Sequence, residues 1–203
     1  MTCVVGLIAP DGSIWIGGDS AATNNSDQQT IRADQKIFRL GDFLFGCTSS
    51  YRMIQLLRYR LVLPDDASAS RENEEDHLFR YLATDFIDAV RTCLQGGGYA
   101  KKENEREEGG VFLVGWQGRL FCIASDYQIE ETHIGYHAIG SADDIALGAL
   151  HATRQLNFAP DQRIRLALGA AAYHNATVRE PFIVKSIEFS AQEGNAPCLK
   201  TMG

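Results

Sequence analysis

Apolar and β-branched residues fill the opening segment from Thr2 to Ala9 (TCVVGLIA), and Pro10-Asp11-Gly12 then breaks the run as a turn. Ser13 to Gly18 (SIWIGG) follows as the returning strand of a hairpin. A polar loop is expected from Thr23 to Gln29. Lys36 to Leu40 (KIFRL), the tight turn Gly41-Asp42 and Phe43 to Cys47 form a second hairpin. The period then changes. Met53, Ile54, Leu57 and Leu61 recur at helical spacing within Ser50 to Leu61, and Leu78, Leu82, Phe86 and Val90 do so within His77 to Leu94. Between these helices lies a polar interval, Pro64 to Asp76, whose acidic end Glu72 to Asp76 reads as a solvated face.

Residues 95 to 110 (QGGGYAKKENEREEGG) are Gly-rich at both ends and charged in the middle, which predicts a flexible, solvated loop. Val111 to Trp116 and Leu120 to Ala124 make another hairpin around Gln117-Gly118, and Tyr127 to His133 adds a strand. Asp143 to Leu156 and Asp161 to His174 read as helices, and Phe182 to Phe189 as a closing strand. Strands, two helices, strands, two helices, strand is an α+β order. It suits two antiparallel sheets stacked face to face with helix pairs outside, a four-layer αββα sandwich. A doubly wound parallel sheet would alternate strands and helices singly.

At 203 residues, with 45% hydrophobic residues, residues 1–203 are expected to form one domain with a sizeable core. The formal net charge of −7 and the lack of a basic stripe argue against nucleic acid and a membrane surface as partners. No apolar run approaches the roughly 18–20 residues that span a bilayer, and no basic segment precedes an apolar one at the N-terminus as in a signal peptide. The cytoplasm is the expected location. The 5 cysteines (Cys3, Cys47, Cys93, Cys122 and Cys198) contain no C-x-x-C pair, and all but Cys198 lie in apolar sequence, so they read as free thiols in a reducing compartment. No ligand cluster suggests zinc, and no metal or cofactor is expected. There is no G-x-S-x-G elbow and no phosphate loop.

Chemistry begins at Met1-Thr2. An initiator Met is removed efficiently before a small residue, which would leave Thr2 with a free α-amine. Such an amine, with a reference pKa of about 7.7–8.0, can take the proton of the hydroxyl on its own residue. Cys3, one residue on, should point to the opposite face of the strand. Asp19 ends the second strand and Lys36 opens the third. If the first two strands pair as a hairpin, Asp19 is expected far from Thr2 along the ladder, so neighbouring strands must bring Asp19 and Lys36 to the N-terminus.

The opening TCVVGLIAPDGSIWIGGDSAAT resembles the start of proteasome β-subunits and of the related bacterial peptidases partnered by an unfoldase ATPase. In those chains a processed Thr heads an apolar strand, and a second strand ends in G-A-D-S-R-A-T, here Gly17-Gly18-Asp19-Ser20-Ala21-Ala22-Thr23. The family's lysine precedes a short apolar strand, as in Lys36-Ile37-Phe38-Arg39-Leu40. A G-S-G motif before a helix corresponds to Gly140-Ser141-Ala142, and A-T-x-R-D to Ala176-Thr177-Val178-Arg179-Glu180.

The resemblance implies an N-terminal nucleophile (Ntn) hydrolase fold and a threonine-type endopeptidase that forms an acyl-enzyme on Thr2. It implies that Lys36 lies beside the Thr2 hydroxyl and favours its ionised form, that Asp19 keeps Lys36 charged, and that Ser141 and Glu180 hold the amine. It also implies a homo-oligomeric ring, a peptide or unfolded protein as substrate, and possible delivery by an unfoldase ATPase. Where the family has Gly-Gly, with the first backbone N–H as oxyanion donor, this chain has Cys47-Thr48-Ser49-Ser50, which leaves the donor as Thr48 or Ser49. Two other readings remain open at this point. One is a catalytically silent structural subunit, and the other is an Ntn amidase acting on a small-molecule amide.

Overall fold

The computed structural model describes residues 2–23, 29–65, 77–103 and 106–188. Met1, most of the polar loop after Thr23, the acidic run Glu72–Asp76, Phe189 and Cys198 lie outside the described residues. The architecture is α+β, as expected. Strands β1 (Cys3–Ile8) and β2 (Ile14–Gly18) form a hairpin at the centre of a four-stranded antiparallel sheet. Its edges are β12 (Tyr136–Gly140), beside β1, and β13 (Ile183–Ile187), beside β2. The second sheet has five strands in the order β11 (Ile129–Glu131), β10 (Arg119–Ile123), β9 (Phe112–Trp116), β6 (Phe43–Cys47) and β5 (Ile37–Leu40).

The strands alternate faces, and both faces of each sheet are covered, so β1, β6 and β9 are apolar throughout rather than alternating. Three apolar layers result. Val4, Ile16, Ile37, Leu44, Leu113 and Leu120 are buried between the sheets. Cys3, Val5 and Leu7, on the other face of β1, meet the helices α4 (Asp143–Ala152) and α5 (Pro160–His174). On the far side, Phe45 and Phe112 meet α1 (Tyr51–Tyr59) and a helical run from His77 to Gly96. That run comprises α2 (His77–Tyr81), a π turn (Leu82–Phe86) and α3 (Ile87–Gly96).

Local chemistry sets the helix starts. Ser50 caps α1, its Oγ accepting from Arg52 N at 3.1 Å, and Pro160 occupies the first turn of α5, where its missing N–H costs nothing. Gly46 permits close approach of the sheets, since a Cβ there would lie 2.5 Å from Ile16 Cγ2 and 2.7 Å from Val4 Cγ1.

Three departures from the sequence reading matter. β12 was not anticipated, although it is the second partner of β1. The charged segment read as a flexible loop contains a short hairpin, β7 (Lys101–Glu103) with β8 (Arg106–Glu108). Another small hairpin, β3 (Ala21–Thr23) with β4 (Gln29–Ile31), flanks the loop after Asp19. Among the described residues no helix is long and apolar enough to cross a membrane.

Candidate active site

Five strand ends converge at one end of the sandwich. Thr2 immediately precedes β1. Because β1 pairs with β2 in the register Val4↔Gly18, the residue after β2, Asp19, arrives beside the chain at Cys3, its N–H donating to Cys3 O at 3.2 Å. This corrects the expectation that the hairpin would leave Asp19 far from Thr2. An antiparallel hairpin returns the end of its second strand to the start of its first. On the other side Cys3 pairs with Gly140, so Ser141, just after β12, donates its N–H to Thr2 O at 2.8 Å. Gly140 has φ +114, and a Cβ on it would stand 2.1 Å from Thr2 O, so glycine is required for this approach.

Lys36 precedes β5 in the facing sheet and reaches across to the first. Its ammonium donates to Thr2 Oγ1, to Asp19 Oδ1 at 2.6 Å and to Ala21 O at 2.7 Å, which uses all three of its protons. The Thr2 hydroxyl in turn donates to Asp19 Oδ1. Asp19 also accepts from Cys3 N at 3.1 Å, Ala21 N at 3.0 Å and Arg179 N at 3.4 Å. Thr2, Asp19 and Lys36 are buried, and burial lowers the Lys36 pKa below its ordinary 10.5 while the Asp19 carboxylate pulls it back. Cys3 faces the helices of the outer layer, and burial, with Asp19 nearby, pushes its thiol up to about 12.

Thr48 and Ser49, the two expected backbone donors, differ in their hydrogen bonds. Thr48 N already donates to Val111 O at 3.1 Å, and Ser50 N donates to Thr48 O at 2.8 Å. Ser49 N–H has no acceptor among the described residues. Ser49 also carries the positive φ of 62 that the turn demands, which spares the β-branched Thr48. Its own Oγ accepts from Val111 N at 3.0 Å and holds the turn. Thr2, Lys36, Thr48, Ser49 and Tyr51 line one small cavity of about 80 Å³.

Glu180 does not join this cluster. The flanking backbone turns inward, Arg179 to Asp19 and Ser20, and Pro181 O to Ser20 Oγ at 2.6 Å. The Glu180 side chain is exposed and borders a different groove with Gln29, Tyr173 and Phe182. Glu180 was expected to hold the amine with Ser141; the side chain that meets Ser141 is that of Thr177, whose Oγ1 lies 2.9 Å from Ser141 Oγ and donates to Asn175 Oδ1 at 2.7 Å. Asn175 closes the ring by donating from Nδ2 to Ser141 O at 3.0 Å. Sequence reasoning missed Asn175 and Thr177, although Thr177 stands in the A-T-x-R-E segment it had singled out.

Two stacked antiparallel sheets between helix layers, with a threonine heading a central strand at a buried lysine, define the proteasome-type Ntn-hydrolase fold. The solved structures this chain resembles agree. Thiobacillus denitrificans BPH in complex with epoxomicin superposes with a TM-score of 0.73 at 22% identity, covering 93% of this chain and 100% of that one. Eukaryotic HslV from Trypanosoma brucei gives 0.68 at 18% identity, covering 92% and 99%. Anbu, described as an ancestral β-subunit, from Yersinia bercovieri gives 0.60 at 13% identity, covering 91% and 81%. No family model and no curated protein sequence matches the chain.

Proposed function

We propose that the protein is a threonine-type endopeptidase, with residues 1–203 forming one hydrolase domain. The observation that carries this reading is the Thr2 hydroxyl held by the buried Lys36 ammonium, beside a backbone N–H at Ser49 that has no acceptor among the described residues. A structural subunit would have no use for a buried cation at that hydroxyl, because burying a charge is costly.

Removal of Met1 bares the Thr2 amine. The amine takes the hydroxyl proton as Oγ1 attacks the substrate carbonyl carbon. Lys36 stabilises the developing charge on Oγ1, and Ser49 N–H receives the carbonyl oxygen as it becomes an oxyanion. Collapse breaks the peptide bond, the amine passes its proton to the departing nitrogen, and an ester remains on Thr2. Water, deprotonated by the same amine, then hydrolyses the ester. Ser141, Thr177 and Asn175 fix the Thr2 backbone so that the hydroxyl and amine keep their geometry.

By likeness to proteasome-type peptidases, the assembly is a homo-oligomeric ring that admits peptides or unfolded chains, in the cytoplasm, with an unfoldase ATPase as a feeding partner. Buried free thiols at Cys3, Cys47 and Cys122 suit a reducing compartment. The test is peptide hydrolysis by the purified protein, with native mass measured alongside. Hydrolysis that vanishes in Thr2→Ala supports the reading. Hydrolysis that survives in Thr2→Ala, or none under any condition, contradicts it.

A further inference from the structure

We infer that the ring of Tyr51 closes the cavity beside the Thr2 hydroxyl and restricts cleavage to peptide bonds after small side chains. This rests on the peptidase reading above and adds a substrate class to it. Once the carbonyl carbon sits on Thr2 Oγ1 and its oxygen on Ser49 N–H, the side chain of the residue bearing that carbonyl is placed at the cavity that Thr2 and Ser49 both line.

That cavity holds about 80 Å³. A dry cavity of about 150 Å³ accepts a benzene ring, so by proportion this one accepts about three heavy atoms. Alanine, serine, threonine or valine fits, and a phenylalanine ring does not. Most of the lining is already small (Ala22, Thr48, Ser49 and Ser50), so the bulk comes from Lys36, which the proposed reaction needs, and from Tyr51 and Ile54.

Tyr51 is also held in place. It is the first residue of α1, directly after the Ser50 cap. The Arg32 guanidinium lies over its ring, 4.0 Å from the centroid, and is itself fixed by Asp34 through bonds of 2.6 and 2.7 Å. The Lys36 ammonium is 5.9 Å from the same centroid. Rotating the ring out of the cavity would break the cation–π contact with Arg32 and draw the ring away from Lys36.

The experiment uses the assembled protein and fluorogenic peptides that differ only at the residue bearing the scissile carbonyl: Ala, Val, Leu or Phe. The wild type should favour Ala and Val over Phe by at least about tenfold in kcat/KM, the discrimination a hydrophobic pocket gives per methylene or two. Tyr51→Ala should raise the Phe/Ala ratio by at least about tenfold. Tyr51→Phe, which keeps the ring, should keep the preference for small residues. A wild type that cleaves after Phe as fast as after Ala overturns the inference, as does an unchanged ratio in Tyr51→Ala. If Tyr51→Ala fails to fold, the wild-type series and Tyr51→Leu decide in the same way. Labelling Thr2 with a small β-lactone separates the two readings. An adduct with a flat peptide series overturns this inference alone, and no adduct together with no hydrolysis overturns the peptidase reading and this inference with it.

Discussion

Replacing Lys36 with methionine removes the ammonium but keeps most of the apolar stem. Coulomb's law at 2.6 Å and an effective dielectric of about 20 gives about 6 kcal/mol of attraction between Lys36 and Asp19. Their side chains are 3% and 0% exposed, and desolvation at several kcal/mol per ion consumes most of that attraction. The pair therefore adds little net stability, yet breaking it leaves Asp19 uncompensated, which costs about 3–5 kcal/mol. Three backbone N–H groups still donate to Asp19, from Cys3, Ala21 and Arg179, so the loss should fall near the lower figure.

Activity should fall further than stability. In the proposed mechanism Lys36 is a preorganised donor at the atom where charge develops, and one such donor is worth about 3–4 kcal/mol, or roughly 10²–10³ in kcat. Urea denaturation separates folding from catalysis, and kcat on the best fluorogenic peptide reads the second. A Lys36→Met protein that is folded and keeps more than a tenth of wild-type kcat would refute the reasoning.

Other consequences follow from the same geometry. Gly140→Ala sets a methyl against Thr2 O and must displace Thr2; a shift near 1 Å costs about 100-fold in kcat/KM, so the folded variant should be nearly inactive. Gly46→Ala overpacks the layer between the sheets against Ile16 and Val4 and should lower stability by about 1–3 kcal/mol in a thermal or urea melt. The pH profile of kcat/KM should rise as the Thr2 amine loses its proton, near about 7.7–8.0. It should fall again as Lys36 loses its own, and because burial lowers the Lys36 pKa, that limb lies below 10.5. A plateau extending past 10.5 in protein shown to be folded by circular dichroism would contradict a charged Lys36.

Much of this site could be read from the chain because strand ends are punctuated. The β1–β2 hairpin, the β5–β6 hairpin and the amphipathic helices all carry clear periods, and Thr2, Asp19 and Lys36 stand at three of their boundaries. What was misread depended on pairing. β12 holds His137 and Gly140 in a short run with no alternation to mark it, yet its pairing with β1 is what brings Ser141 to Thr2. What sets Thr48 apart from Ser49 is its hydrogen bond to Val111, a residue far along the chain. Glu180 matched a motif, but the side chain that meets Ser141 belongs to Thr177, because the backbone on both sides of Glu180 turns to Asp19 and Ser20. Tyr51 lies inside the stretch Ser50 to Leu61 that reads as an amphipathic helix, and its place against the cavity follows from where α1 begins after the β6 turn.

The central claim is most directly tested by intact-mass spectrometry of the native protein before and after treatment with an epoxyketone inhibitor. The account predicts a chain lighter by one methionine that gains one inhibitor per subunit, mapped to Thr2 and absent in Thr2→Ala. A chain that has lost Met1 but never takes the inhibitor, or takes it equally in Thr2→Ala, would contradict it.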